Sequence, residues 1–149
     1  MIIMTEEKYW KEFTNEYPDY EKKSYTAWQF GVAPDELAEL VISGKKTLTC
    51  SSLKEYEVEN ESLPEAGEVS IILGENDTPK CIIECTKVYT IIFKDAGEEI
   101  AYKEGEGDRT LSYWRQAHLD FFEWLYPEMG LEFNESEEIV VEEFKLIYV

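Results

Sequence analysis

Hydrophobic and polar positions along the chain follow two periods, helical and extended, and the changes between them mark out the elements. Thr5-Glu6-Glu7-Lys8 opens like a helix, with Thr5 as N-cap and acids in the first turn. Tyr9, Trp10 and Phe13 carry an apolar stripe to about Tyr17, where Pro18 stops it. Between Tyr20 and Gly31 the pattern is ambiguous; Ser24 to Phe30 alternates loosely, as an extended arm over the core would. Leu37, Leu40 and Val41 return to helical spacing behind Pro34, which suits a first helical turn. Gly44 is the expected stop, because glycine enters the left-handed conformation without steric cost. Thr47-Leu48-Thr49-Cys50-Ser51 then alternates as a strand.

The rest of the chain is richer in strand patterns. Leu53 to Glu59 is short and acidic, a surface helix or a loop, and Pro64 to Glu68 is a turn. Val69 to Leu73 reads as a buried strand, Glu75 to Pro79 as a hairpin turn, and Cys81 to Phe93 as a long β stretch. Ala96 to Ala101 predicts a helical turn carrying Ile100 inward. Lys103 to Arg109, with two glycines and alternating charge, predicts a loop. Asp108 or Thr110 would cap the next helix, Leu111 to Leu125, whose apolar face holds Leu111, Trp114, His118, Phe121, Phe122 and Leu125. Pro127 and Gly130 end it, and Glu138 to Val149 closes the chain as a strand. With no repeat or linker, residues 1–149 read as a single domain, a β-rich α+β fold in which helices pack on a small barrel.

Composition narrows the partners. A length of 149 residues, 44 % of them apolar, suits one domain with a sizeable core. The net charge of −19, from 33 acidic and 14 basic residues, repels phosphate backbones and argues against duplex DNA. A nucleic-acid contact would need a local basic pocket, or a ligand as small as a nucleoside. Cys50, Cys81 and Cys85 form no CxxC pair, and Cys81 and Cys85 share a strand face, as core thiols in a reducing compartment would. Met1 to Glu7 lacks the basic start of a signal peptide, and no segment approaches the roughly 20 apolar residues of a membrane helix. The expectation is a cytoplasmic protein with no membrane partner.

Three polar clusters could carry chemistry. Lys45, Lys46, Thr47 and Thr49 lie on the helix-to-strand corner, where side chains can converge on a ligand; the alternative is a solvated helix end, where the dipole favours lysines. Thr47 and Thr49 should face one side of the strand, Leu48 and Cys50 the other. Lys46 joins Thr49 only if the backbone is still turning at Lys46. Glu104, Glu106 and Arg109 lie in the glycine-flanked segment, where a carboxylate can approach a substrate or simply be solvated. Arg115 and His118 are neighbours on the long helix, His118 being either a satisfied core histidine or a site residue. One histidine and no cysteine pair argue against zinc, and no phosphate or dinucleotide fingerprint calls for a cofactor.

Taken together, Ala27-Trp28-Gln29-Phe30-Gly31, Ser43-Gly44-Lys45-Lys46-Thr47-Leu48-Thr49, Glu104-Gly105-Glu106-Gly107-Asp108, Tyr113-Trp114-Arg115 with His118 and Phe121-Phe122, and Glu143-Phe144 resemble the ASCH domain family of the PUA-like superfold. The resemblance implies a small β-barrel with a cleft between barrel and helices. It also implies a link to RNA, as a binding module or an enzyme. Some small bacterial members are amidohydrolases that remove acyl groups from the exocyclic amine of cytidine, and a nuclease activity has been proposed for others. Matched residue by residue, the amidohydrolase lysine, threonine and glutamate fall on Lys46, Thr49 and Glu106, with Glu104 the alternative carboxylate. Lys45, Thr47, Glu104, Arg109, Arg115 and His118 are the expected ligand contacts. Glu142-Glu143 departs from an acid–base pair found in many relatives and removes a positive charge. The function implied is hydrolysis of a small amide such as an N4-acylated cytidine nucleoside. The alternative is a non-catalytic RNA- or nucleotide-binding module, or an RNA-cleaving one, with a basic groove over Lys45, Lys46, Arg109 and Arg115 and short RNA as partner.

Overall fold

The structure, a computed structural model, describes residues 3–149; the first two residues of the stretch read as lacking a signal peptide lie outside them. Helix α1 spans Glu6–Glu16, with the Thr5 hydroxyl accepting from the Lys8 N–H, and a short turn over Pro18–Tyr20 follows. The expected arm contains strand β1, Thr26–Gln29. Helix α2, Pro34–Ile42, leads through the Gly44 corner to β2, Leu48–Ser52. The acidic stretch after it is a helix, α3 over Leu53–Val58, because the Ser52 hydroxyl caps the Glu55 N–H at 3.2 Å. Strands β3, Val69–Leu73, and β4, Pro79–Ile92, form the expected hairpin. Helices α4, Glu98–Glu104, and α5, Leu111–Glu128, precede strand β5, Glu138–Tyr148.

Two helices run further than their sequence pattern suggests. Lys103 and Glu104 belong to the last turn of α4, because Gly105, at φ +77, ends the helix after them and leaves its interior intact. Helix α5 passes through Pro127, whose missing N–H costs little in the final turn. Its end is made by Gly130, where the Leu131 and Gly130 N–H groups donate to the Tyr126 and Pro127 carbonyls. Thr110 is the α5 cap, its hydroxyl accepting from Tyr113 N–H at 3.1 Å, and Asp108 holds Thr110 in turn.

The five strands form one mixed sheet in the order β1-β3-β4-β5-β2, with β1 parallel to β3 and the other pairs antiparallel. Register shifts in the β4–β5 ladder, at Ile82/Ile83 and Cys85/Lys87, bend the long strands, and the sheet curls into the expected barrel-like form. Strands β1 and β2 remain its edges. Helices α4 and α5 cover one face with Ile100, Trp114, Phe122 and Tyr126, packed around Phe93 from the turn after β4. Helix α2 covers the other with Ala38 and Val41, packed with Phe30 from the end of β1, and α1 closes one end through Tyr9 and Phe13. Each large apolar side chain so buried contributes about 1.5–3 kcal/mol. Edge strand β2 therefore lies between the α2 and α4–α5 layers. Among the described residues, no helix is long and apolar enough to cross a membrane.

Gly44 and Gly105 both sit at positive φ, but only Gly105 is also pressed against another backbone. A Cβ there would lie 2.7 Å from the Lys45 carbonyl carbon and 3.0 Å from the Lys46 Cα, whereas Gly44 has nothing within 4 Å. Gly44→Ala should thus cost about 1–2 kcal/mol. Gly105→Ala adds overpacking and should cost about 2–5 kcal/mol. Urea unfolding of the two variants checks the order; equal losses would mean that the close approach carries no energy.

Candidate functional site

The corner after α2 is built by hydrogen bonds to the last helical carbonyls. The Lys45 and Gly44 N–H groups donate to Leu40 and Val41 at 3.0 Å each, with Gly44 left-handed at φ +84. The Lys46 N–H also donates to the Leu40 carbonyl at 3.0 Å, so the chain is still turning there and the Lys46 side chain enters the interior. Strand alternation follows as expected. Leu48 and Cys50 pack into the α4–α5 core, Thr47 is exposed, and Thr49 is half-buried on the opposite face.

Helix α4 brings its C-terminal end to this corner. Three of its terminal carbonyls have no partner within the helix, and each finds one nearby. Tyr102 accepts from Arg109 Nε at 3.0 Å, Lys103 from the Thr47 N–H at 2.8 Å, and Glu104 from Lys46 Nζ at 3.3 Å. The ammonium therefore sits at the negative pole of α4, where the helix dipole favours a cation. Gly105 lets the two backbones meet.

Lys46 is 1 % exposed and spends its three N–H bonds on Glu104 and Glu106. Besides the Glu104 carbonyl, Nζ donates to Glu104 Oε2 at 3.1 Å and Glu106 Oε2 at 2.9 Å. It also lies 5.2 Å from the centre of the Phe30 ring. Burial alone would push its pKa down, but the two carboxylates outweigh burial and raise it, so Lys46 is a fixed ammonium ion.

Glu104, 2 % exposed, gathers four donors. Oε2 accepts from Lys46 and from the Cys50 N–H at 3.0 Å; Oε1 accepts from Trp114 Nε1 at 2.8 Å and lies 3.1 Å from His118 Nε2. Burial opposes its charge, yet Lys46, His118 and Trp114 hold its carboxyl well below the usual range. His118 stacks on Trp114 at 4.2 Å, and its Nδ1 is 2.9 Å from the Trp114 carbonyl, which can only accept. With a carboxylate at the other nitrogen, both ring nitrogens must donate, which makes His118 an imidazolium. Its pKa is raised accordingly, the pair with Glu104 overcoming burial. Two cations thus balance two carboxylates. The thiol of Cys50, half-buried and desolvated beside Glu104, is pushed well up and stays neutral.

A cavity of about 370 Å³ opens over this cluster. Lys46, Thr49, Cys50, Glu104, Glu106 and His118 form its polar part; Phe30, Leu37 and Leu40 wall the α2 side, and Tyr113 and Phe121 the α5 side. Glu106 is one-third exposed, and its second oxygen, Oε1, accepts no hydrogen bond among the described residues. Neither does the Thr49 hydroxyl engage a protein partner among them. The structure therefore brings together Lys46, Thr49, Glu104, Glu106 and His118. Lys45, Thr47, Arg109 and Arg115 do not line the cavity. Arg109 donates to the Lys45 and Tyr102 carbonyls, and Arg115 pairs with Glu135 and donates to the Lys94 carbonyl. Trp114 and the Cys50 N–H are the members that sequence missed; an indole four residues before the histidine on one helix face was the available signal for the first. Among the described residues, no three His, Cys, Asp or Glu side chains are grouped to hold a metal ion.

Comparison with known proteins places this geometry in a family context. The ASCH domain family model matches residues 26–148. An ASCH domain structure from Lactobacillus crispatus JV V101 superposes with a TM-score of 0.85 at 30 % identity, covering 93 % of this chain and 94 % of that one. A protein from Enterococcus faecalis V583, described under the family model DUF984, gives 0.85 at 34 % identity, covering 95 % and 87 %. No curated protein matches the chain.

The lone histidine makes the charge network directly observable. Its imidazole proton signals should titrate with a pKa above the ordinary 6.5. In Glu104→Gln the pairing that opposes burial is gone, and the pKa should fall below that value. Because the folded pKa is raised, the stability that the charged His118 contributes is fully present below about pH 6.5, while that of Glu104, whose pKa is lowered, is fully present only above about pH 4.5. The His118 part is lost as pH rises through its folded value. An NMR titration of both proteins checks this; an unshifted or lowered pKa in the wild type contradicts the imidazolium.

Proposed function

Because the chain belongs to the ASCH domain family, we propose that it hydrolyses a small amide such as an N4-acylated cytidine nucleoside, with Lys46, Thr49 and Glu106 carrying the reaction. The observation that carries this reading is the Lys46 ammonium fixed at the cavity floor beside a carboxylate, Glu106, that keeps one oxygen free. Cleaving an amide needs an attacking oxygen, a group to take its proton, and a cation or donor for the oxyanion. Lys46, held protonated, cannot be the base. Glu104 cannot be either, since its lone pairs are filled by four donors. That leaves Glu106.

In the proposed reaction Glu106 takes the proton from the attacking oxygen, that of Thr49 or of a water hydrogen-bonded to it. The oxygen bonds to the acyl carbon, and the carbonyl oxygen becomes an oxyanion. Negative charge thereby moves from Glu106 to the oxyanion while the ammonium stays beside both. Protonation of Glu106 weakens its hold on Lys46, freeing an N–H to turn toward the new charge. As the tetrahedral species collapses, the C–N bond breaks, and Glu106 returns its proton to the departing amine. If the attacking oxygen is water, the products are the carboxylic acid and the free amine; if it is Thr49, the acyl ester so formed is hydrolysed by a water that Glu106 deprotonates in turn, releasing the acid and restoring the hydroxyl. The cavity, near 370 Å³, lies in the range of small-ligand sites, and its aromatic α5 wall suits a planar base.

A module for RNA strands fits less well. Of its four expected cations, Arg115 is paired with Glu135, Lys46 is neutralised within the interior, and the chain carries a net charge of −19.

Release of cytidine from N4-acetylcytidine tests the proposal. Glu106→Gln and Thr49→Ala should each lower kcat by about 10²–10⁴ with far-UV circular dichroism unchanged. Lys46→Ala should abolish turnover. Full activity in Lys46→Ala would rule the assignment out, and salt-sensitive RNA binding without turnover would favour the binding module.

A further inference from the structure

Three positions around the Glu106 loop are left-handed: Gly105 at φ +77, Gly107 at φ +59 and Arg109 at φ +65. Glycine adopts this conformation freely, whereas an L-residue incurs about 1–2 kcal/mol. A strained residue persists where its surroundings over-determine it, and such strain clusters at functional sites. The surroundings of Arg109 do so. Its guanidinium lies 3.5 Å above the Tyr102 ring, Nε donates to the Tyr102 carbonyl at 3.0 Å, and Nη2 donates to the Lys45 carbonyl at 3.2 Å. Its own N–H donates to the Glu106 carbonyl at 3.1 Å, which closes the loop into a turn.

We infer that Arg109 is a positioning residue: it locks the Glu106 loop to the Lys45–Lys46 corner and so fixes the Glu106 carboxylate against the Lys46 ammonium. This rests on the hydrolase reading given above. The side chain itself does not line the cavity and touches no part of the proposed reaction. Its guanidinium ties the Tyr102 carbonyl, near the end of α4, to the Lys45 carbonyl, a single peptide from Lys46, while its backbone N–H holds the Glu106 carbonyl, so the residue joins both segments behind the 2.9 Å Lys46–Glu106 pair. Of the four charged groups in the cluster, Glu106 alone sits on a loop between glycines, so its placement depends most on such a lock. Displacing a reacting group by about 1 Å can cost about 10²-fold in rate. Lysine cannot replace the clamp, because a point charge lacks the planar fork that bridges two carbonyls while stacked on a ring. The exposed Tyr102 ring has a role on this account, as the platform for that stack.

Arg109→Gly and Arg109→Lys test the clamp. Glycine relieves the backbone strain at φ +65, so its variant should fold while losing the side chain. On N4-acetylcytidine both should lose about 10–100-fold in kcat, with KM within about twofold of wild type. Millimolar free guanidinium ion should restore part of the Arg109→Gly rate and leave the wild type unchanged. In the same variant the amide hydrogens of Thr47 and residue 109, bonded to the Lys103 and Glu106 carbonyls, should exchange about tenfold faster. Guanidinium should slow them again. An unchanged kcat overturns the inference, and a loss confined to KM overturns it by making Arg109 a ligand contact. Wild-type protein inert toward the substrate defeats the hydrolase reading alone; unchanged amide exchange in Arg109→Gly would then defeat the clamp separately.

Discussion

A lysine ammonium removed from water constrains everything around it. Moving such an ion inside costs several kcal/mol, and attraction to a carboxylate repays this only when every N–H finds an acceptor. Lys46 meets the condition with three acceptors, all supplied by the Glu104–Glu106 segment. That requirement accounts for several local features at once. Helix α4 must end at Glu104 with its carbonyls toward the corner, Gly105 must lack a Cβ where the backbones meet, and α2 must turn sharply enough at Gly44 to send Lys46 inward.

The same arrangement determines which chemistry the cavity can support. Glu104 carries a full complement of donors and works as a counter-ion; Glu106, held by one oxygen at a cavity wall, keeps a lone pair for a ligand. Balancing two cations against two carboxylates leaves the floor polar and almost neutral overall. A site of this kind suits a reaction in which charge moves over a short distance beside a fixed cation, and it offers little to a polyanionic strand.

Much of this was legible in the chain. The helical spacing of Leu37, Leu40 and Val41, with Gly44 behind it, located the corner, and the polar alternation of Thr47 and Thr49 located the strand. The family resemblance carried the α+β fold with its barrel-like sheet. Other features depended on distant partners. Glycines at 105 and 107 read as breakers of the whole acidic block, but Gly105 caps a helix that already holds Glu104, and this places the carboxylate in the interior. The RNA-binding alternative expected Arg109 and Arg115 to share a basic groove with Lys45 and Lys46. Their guanidinium groups diverge because one is drawn to the Lys45 and Tyr102 carbonyls and the other to Glu135, twenty residues along the chain. Long side chains go where their acceptors are, and only the folded chain shows where those lie.

The protonation state of Lys46 is the claim on which the rest depends, and the Nζ resonance of ¹⁵N-labelled lysine reports it. On this account the Lys46 signal is that of a hydrogen-bonded ammonium and persists when pH is raised past 10.5, the ordinary lysine value. A Lys46 that loses its proton below that value, as a buried lysine without charge partners would, contradicts the account.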